Sequence, residues 1–473
     1  MKVRLTPKWE IVVARFWNIA NEGKSFYLCM SLVLIFLLNF SSILTRGFWI
    51  NLLIISPFVL LFLYYDYPLN LRIILWLFLI FFILFFRPPN IFINTVTLTF
   101  FYFFFILGVW GTFYYYVLLK EPIKTPINFI KLVLENTDST SANFFEQFPK
   151  ILLTLLLFSN IGSMSIFSAN YFLFFIFSLI ISFVGHKWFF RRLPKLPTKV
   201  KKINGKKRLA KKVYVFIIDG CRKDQFMKAR KPFMNGLIKN GALYEKMETM
   251  YPARTVVCFS SMFTGASPSK TGIKSNLIFD YSGLKLESVF DVLEKNGLRG
   301  RLIAIAHLLD VFPRHTTSVY SVMPNKIADK KIFELVKETI KKDNPDLLVT
   351  QLISVDQTGH CRGSYSKDYI KAIEENDKDV QDFFDFLKKK KLLRDSVVIV
   401  MADHGQSKGV GGHAHWDYGE VEVPFIIYGK NIKKGLKVKK KYTIMSLGPT
   451  LTYLFGLNSP KGSSAEMLKE CIE

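Results

Sequence analysis

The chain has 473 residues, half of them hydrophobic, with 46 phenylalanines and a formal net charge of +27. That balance excludes an ordinary soluble enzyme of this length. It is also uneven, because nearly all of the apolar excess lies before about residue 190.

The first residues, MKVRLTPKWEIVVARFW, are charged and lack an apolar core followed by a small-residue cleavage site, so no cleavable signal peptide is expected. Apolar runs then follow one another: Ser25 to Ile43, Phe48 to Tyr65, Leu71 to Phe86, Ile91 to Leu119, Ile151 to Phe167 and Tyr171 to Gly185. Each is near the ~20 residues that cross about 30 Å of hydrocarbon. A water-soluble domain cannot hide so many nearly uncharged runs in so short a stretch, so they read as membrane spans rather than core helices. The last two are separated only by Ser168, Ala169 and Asn170, which leaves the count at five or six. The amphipathic stretch between Lys120 and Lys150 either lies on the membrane or shapes a substrate entrance. Almost no ionisable residue falls within the spans, which argues against an ion or proton path.

Three regions follow: a transmembrane domain over residues 1–186, a basic juxtamembrane linker over 187–212 and a catalytic domain over 213–473. The linker, KWFFRRLPKLPTKVKKINGKKRLAKK, carries a dozen Lys or Arg and no acid. Beside a membrane span such a stripe meets anionic lipid head groups rather than nucleic acid. Pro194, Pro197 and Gly205 break any helix across it. Cys29, Cys221, Cys258, Cys361 and Cys471 are scattered without paired spacing and form neither a disulfide framework nor a CxxC metal site.

From Val213 the texture changes to short β-branched runs separated by charged, helical stretches, the pattern of an α/β domain with a largely parallel sheet and helices on both faces. Strands are expected at Val213 to Ile218, Arg301 to Ala306, Leu347 to Ile353, Val397 to Ala402 and Phe425 to Tyr428, with helices such as SVFDVLEKNG and DYIKAIEENDKDVQDFFDFLKKKK between them. Three of the strands run into acids: Ile218 into Asp219, Ile353 through Ser354 and Val355 into Asp356, and Ala402 into Asp403. Ligands of open α/β sheets collect at the carboxyl ends of strands, so three carboxylates reach one rim.

Histidines accompany them: His360 in SVDQTGH, His404 in MADHG, and His413 and His415 in VGGHAHWDYGE. Carboxylate oxygen and imidazole nitrogen are ligands for zinc or manganese, and their clustering at a sheet rim suits a two-metal site. Thr255, at the start of a predicted helix in YPARTVVCFSSMFTG, reads either as an N-cap or as a hydroxyl nucleophile at a helix terminus that favours an anion.

Asp219 after a strand, Thr255 in a YPxxT segment ending in TGxxPxxxGI, DxxGH and then DHG together resemble the nucleotide pyrophosphatase and phosphodiesterase branch of the alkaline phosphatase superfamily. The closing segment SLGPTLTYLFGLNSPKGSSAEML is similar to that group as well, so the resemblance spans about Val213 to Leu468. It implies two divalent ions, zinc or manganese, one held by Asp356, His360 and His413 and the other by Asp219, Asp403 and His404, with the Thr255 nucleophile bridging towards the second. Membrane-bound ethanolamine phosphate transferases that modify glycolipid anchors have their third histidine eleven residues before a proline, as His413 stands before Pro424, which favours it over His415.

The chain departs from the pattern in two places. Cys258 stands where many relatives have an asparagine three residues after the nucleophile, which gives Arg254 the phosphoryl oxygen by charge-assisted hydrogen bonding. Thr271 and Gly272 replace a His-Gly.

The function expected is thus a metal-dependent phosphodiester hydrolase or phospho-group transferase in the plasma membrane, acting on phosphate esters at the membrane surface, lipid-linked or of the cell envelope. A sulfatase-like hydrolase, which shares the fold, lacks its CxPxR-like context at Thr255. An inactive membrane scaffold sits badly with an intact ligand set. Charge favours a cytoplasmic catalytic domain and the resemblance an external one; external is preferred, because large domains translocate largely regardless of charge.

Overall fold

The structure is a computed structural model that describes residues 8–118, 133–161, 169–194, 205, 207–276, 284–319, 325–410 and 412–473. Two compact units emerge, one formed by Phe16–Val117 and Pro122–Pro194, the other mainly by Lys195–Glu473. Much of the predicted basic linker and the first part of the Lys120 to Lys150 stretch, up to residue 132, lie outside the described residues.

The first unit is helical. Among the described residues, five helices are long and apolar enough to cross a membrane: Arg46–Tyr64, Leu69–Phe86, Ile91–Val109, Phe144–Ile161 and Ala169–Arg192. Gly23–Leu38, the first expected span, is shorter at 16 residues. The four outer spans display large apolar side chains such as Leu53, Ile73, Phe92 and Phe172. Phe144–Ile161 instead packs against Gly23–Leu38, Arg46–Tyr64, Arg72–Phe86 and Ile91–Phe105, and is buried almost throughout.

That helix corrects the expectation of a nearly charge-free interior. It starts seven residues before the predicted Ile151 and so carries Glu146 and Lys150 inside, with the Lys150 ammonium 2.7 Å and the Arg72 guanidinium 3.5 Å from the Glu146 carboxylate. Arg72 also donates to the Thr137 carbonyl at 2.8 Å. The segment 136–143 is buried beside it, so the described end of the amphipathic stretch lies within this unit's own core.

The second unit is built on an eight-stranded sheet. Its strands are β1 (Lys212–Ile218), β2 (Ala242–Tyr244), β4 (Gly300–Ile305), β5 (Thr316–Val319), β6 (Leu347–Leu352), β7 (Ser396–Met401), β9 (Phe425–Gly429) and β10 (Leu436–Val438), in the order β10-β2-β9-β7-β1-β6-β4-β5. A small sheet joins β3 (Met247–Glu248), β8 (Glu422–Val423) and β11 (Tyr442–Thr443).

All five predicted strands are present, and β5, β4, β6, β1 and β7 run parallel. β9 is antiparallel to both neighbours. The side chains of β6 and β7 are buried along their whole length, as expected for strands covered on both faces, and apart from Thr350, Gln351 and Ser396 they are apolar. Tyr214 and Phe216, on one face of β1, meet Phe383 of the helix Lys367–Lys389, while Phe263 of the helix Thr255–Thr264 packs on Phe290 and Phe312.

Register places the site. Ile218 pairs with Leu352 and Ile217 with Met401, so β1, β6 and β7 end level with one another. Asp219, Asp356 and Asp403 therefore leave three adjacent strands at the same edge.

Candidate active site

Asp219 follows the last residue of β1 directly. Gly220 comes next at φ +63°, and a Cβ there would run into the Asp356 side chain, so only glycine allows the two carboxylates this approach. Asp356 and His360 lie one turn apart on the helix Ser354–Arg362, with His360 Nε2 3.1 Å from Asp356 Oδ2. Asp329 fixes the start of that helix: its Oδ1 accepts from the Ile353 N–H at 2.8 Å, and its Oδ2 accepts from the Ser354 hydroxyl and from Asn376.

Asp403 and His404 follow β7. The Asp403 Oδ1 accepts from the backbone N–H of Gly220 at 3.2 Å and of His404 at 2.9 Å. His404 is fully buried, and its Nδ1 faces the Gly405 carbonyl at 2.9 Å. A carbonyl only accepts, so Nδ1 carries the proton and Nε2 turns a lone pair inward. That lone pair lies 3.5 Å from Asp219 Oδ1, 3.5 Å from Asp403 Oδ2 and 3.4 Å from the Thr255 hydroxyl.

Thr255 is the first residue of the helix Thr255–Thr264, and Arg254 is its N-cap in extended conformation, so the N-cap alternative for Thr255 does not hold. The hydroxyl is also 3.4 Å from Asp219 Oδ1. The next N–H, of Val256, donates to Asn276 Oδ1 at 3.1 Å. Cys258 lies one turn further on, with its sulfur 3.3 Å from the Thr249 hydroxyl, and burial raises its thiol pKa far above the ordinary range. Thr271 serves its own turn, donating to the Pro268 carbonyl and accepting from the Ile273 N–H.

His413 Nδ1 faces the Ala253 carbonyl at 2.8 Å and its Nε2 lies 3.2 Å from His360 Nε2. Asp356, His360 and His413 thus present ligand atoms within 4.8 Å of one another, as do Asp219, Asp356 and His404. Asp356 belongs to both groups, and Asp403 reaches the second through His404. The backbone of His415 is instead held by Glu420, which accepts the His415 N–H at 2.7 Å.

The electrostatics fit cations. Burial, then the charges of Asp403 and Asp356, push the Asp219 carboxyl well above the usual carboxylate range. Burial and Asp356 push Asp403 up to about 7. For Asp356 burial acts in the same direction, but His360, His413 and His404 outweigh it and hold the carboxyl well below its ordinary value. Asp219, Asp356 and Asp403 concentrate negative charge in one site, and Asp403 Oδ2 is buried without a hydrogen bond. Divalent ions would supply both the missing charge and the missing partner.

The structure thus brings together Asp219, Thr255, Asp356, His360, Asp403, His404 and His413, with Arg254 beside the threonine. The sequence alone did not single out Gln351, whose amide meets Asp219 Oδ2 at 2.5 Å, or Gln406, whose amide meets Asp356 Oδ1 at 2.7 Å. A glutamine buried mid-strand in LLVTQLI and another directly after DHG were the available signals.

Residues 213–418 match the family described as type I phosphodiesterase / nucleotide pyrophosphatase. Among curated proteins, the chain is 28% identical over 191 residues to phosphopentomutase of Clostridioides difficile, covering 39% of this chain and 44% of that protein. It is 23% identical over 282 residues to the human GPI ethanolamine phosphate transferase 2 catalytic subunit, covering 56% of this chain and 28% of the relative. The chain therefore spans less than half the length of these curated relatives. Among solved structures, alkaline phosphatase PafA aligns with a TM-score of 0.48 at 14% identity, covering 56% of this chain and 99% of that one. Murine ectonucleotide pyrophosphatase / phosphodiesterase 5, solved as an inactive variant with AMP, aligns at 0.44 and 16%, covering 53% and 96%.

Proposed function

We propose that this chain, whose residues 213–418 carry the type I phosphodiesterase / nucleotide pyrophosphatase family match, is a membrane-anchored phosphodiester hydrolase or phospho-group transferase that works through Thr255. The observation that carries this reading is the Thr255 hydroxyl at a helix N-terminus, 3.4 Å from both Asp219 Oδ1 and His404 Nε2. A buried hydroxyl so placed can lose its proton and meet an anionic phosphoryl group.

Asp356, His360 and His413 would hold one divalent ion and Asp219, Asp403 and His404 a second, with Asp356 between the two groups; nitrogen and oxygen ligands suit zinc, and manganese next. Bound there, the ions supply the positive charge that makes the hydroxyl acidic and stabilises the departing oxygen.

The chain's own groups account for the rest. Thr255 Oγ1 attacks phosphorus in line, the bond to the leaving oxygen breaks, and that oxygen takes up a proton. The helix N-terminus faces the charge on the phosphoryl oxygens, and Arg254, the N-cap residue of that helix, would add a charge-assisted hydrogen bond. A water, or the hydroxyl or amine of an acceptor, then attacks the phosphothreonine and restores Thr255. Water gives hydrolysis; an acceptor gives transfer.

Five helices of spanning length in the same chain favour a substrate at the membrane surface, and relatives named as GPI ethanolamine phosphate transferases favour a lipid-linked one. Five spans of that length among the described residues, with the basic start inside, favour a catalytic unit on the outer side of the membrane.

The test is a panel of chromogenic phosphodiester, phosphomonoester and sulfate ester offered to detergent-purified protein with zinc or manganese. Diester cleavage that a chelator abolishes supports the reading. Sulfate cleavage without phosphate cleavage overturns it.

A further inference from the structure

Each of the three carboxylates, two of them buried and that of Asp356 partly so, has one oxygen held by the protein. For Asp403 the backbone N–H groups of Gly220 and His404 hold Oδ1. For Asp219 it is Oδ2, which accepts from Gln351 Nε2 at 2.5 Å and leaves Oδ1 towards Thr255 and His404. For Asp356 it is Oδ1, which accepts from Gln406 Nε2 at 2.7 Å and leaves Oδ2 towards His360.

Chemistry fixes the direction of both amides. Gln351 Oε1 accepts from the Ile305 N–H at 3.1 Å, so the NH₂ end must point at Asp219. Gln406 faces the carboxylate and, at 3.0 Å, the backbone carbonyl of Asp356; both are acceptors, so only its NH₂ end can lie there. Both side chains are fully buried and come from different places, Gln351 from the middle of the sheet and Gln406 from the loop after β7. Gly359 lies against the Gln406 amide, and a Cβ in its place would strike it.

We infer that Gln351 and Gln406 are positioning residues that restrict Asp219 and Asp356 to ligation through a single oxygen, an inference that rests on the two-metal reading above. The restriction matters because a carboxylate free to turn no longer keeps its ligand oxygen aimed at the ion, which weakens that ion's binding and shifts it from the position that Thr255 and a substrate oxygen need. Gln351 governs the position built around Asp219 and His404, and Gln406 the position built around Asp356, His360 and His413.

The experiment uses the full chain in detergent, stripped with chelator and titrated with zinc by calorimetry, as wild type, Gln351→Met and Gln406→Met. Methionine keeps the volume and removes the donor. The wild type should take up two ions, and each variant should bind one of them about 10- to 100-fold more weakly, with the affected ion differing between variants. In each, kcat on a phosphodiester should fall with KM little changed. Thermal unfolding in chelator establishes that a variant is folded, and because the two glutamines act separately, either folded variant decides its own half. Two ions bound with wild-type affinity by a folded variant would overturn the inference while leaving the two-metal reading standing. A wild type that takes up no ion would overturn both.

Discussion

His413 Nε2 lies 3.2 Å from His360 Nε2, while the other nitrogen of His413 is engaged by the Ala253 carbonyl. With Nδ1 engaged by that carbonyl, His413 turns Nε2 towards its neighbour, an arrangement that suits a shared cation. His415, two residues on, has its backbone anchored by Glu420. His413→Gln should therefore cost one bound zinc per chain, whereas His415→Gln should retain both; metal content of dialysed protein by mass spectrometry separates them. Loss of an ion only in the His415 variant would reverse the assignment.

Gly220 combines a left-handed backbone with a close approach to Asp356. In Gly220→Ala the backbone alone costs about 1–2 kcal/mol, and the new methyl displaces the carboxylate. Lowered thermal stability together with weakened metal uptake is expected. Stability lost with metal affinity intact would show that the carboxylate tolerates the shift.

Glu146 and Lys150 pair at 2.7 Å within the helical unit, both almost fully buried. Removing Lys150 leaves Glu146 with Arg72 as its ion partner, so Lys150→Met should destabilise by less than the about 3–5 kcal/mol of a buried pair broken outright. The double variant Glu146→Gln/Lys150→Met should recover part of that loss, although Arg72, 3.5 Å from Glu146, then loses its carboxylate and keeps its backbone carbonyl acceptors. Unfolding in detergent followed by thiol accessibility or fluorescence measures both, and equal stability of single and double variants would contradict the coupling.

Asp379, on the helix Lys367–Lys389, has its carboxyl pushed up to about 6, first by burial and then by the Asp329 charge. Between the unfolded value near 3.8 and about 6, the folded chain keeps a proton that the unfolded chain has released. Stability therefore falls as pH rises through that window, and the full cost is present above it. Asp379→Asn removes the cost. Its melting temperature should exceed the wild type's at pH 7.5, with the advantage shrinking as pH drops towards 4; a gap independent of pH would contradict the shift.

The sequence made the centre of the sheet legible because β1, β4, β6, β7 and β9 are largely apolar runs, and the ends of β1, β6 and β7 lead into the acids. The strands β2, β3, β5, β8, β10 and β11, two to four residues each, were hidden, since so short a run has no period to detect. The site's carboxylates, histidines and threonine were visible through their spacing. The orienting partners, Gln351, Gln406 and Asp329, were not, because their roles depend on which strands become neighbours. In the helical unit the apolar runs gave the helices, but Glu146 and Lys150 looked like the polar end of a surface stretch. Only the packing of four helices around Phe144–Ile161 makes them interior.

The most direct test of the account is to trap the covalent intermediate. Zinc-loaded protein is mixed with a phosphodiester, quenched in acid within milliseconds to seconds, digested, and analysed by peptide mass spectrometry. The account predicts a phosphoryl-derived adduct on Thr255, with both adduct and turnover absent in Thr255→Ala. Diester turnover at the wild-type rate in Thr255→Ala, or an adduct on another residue, would contradict it.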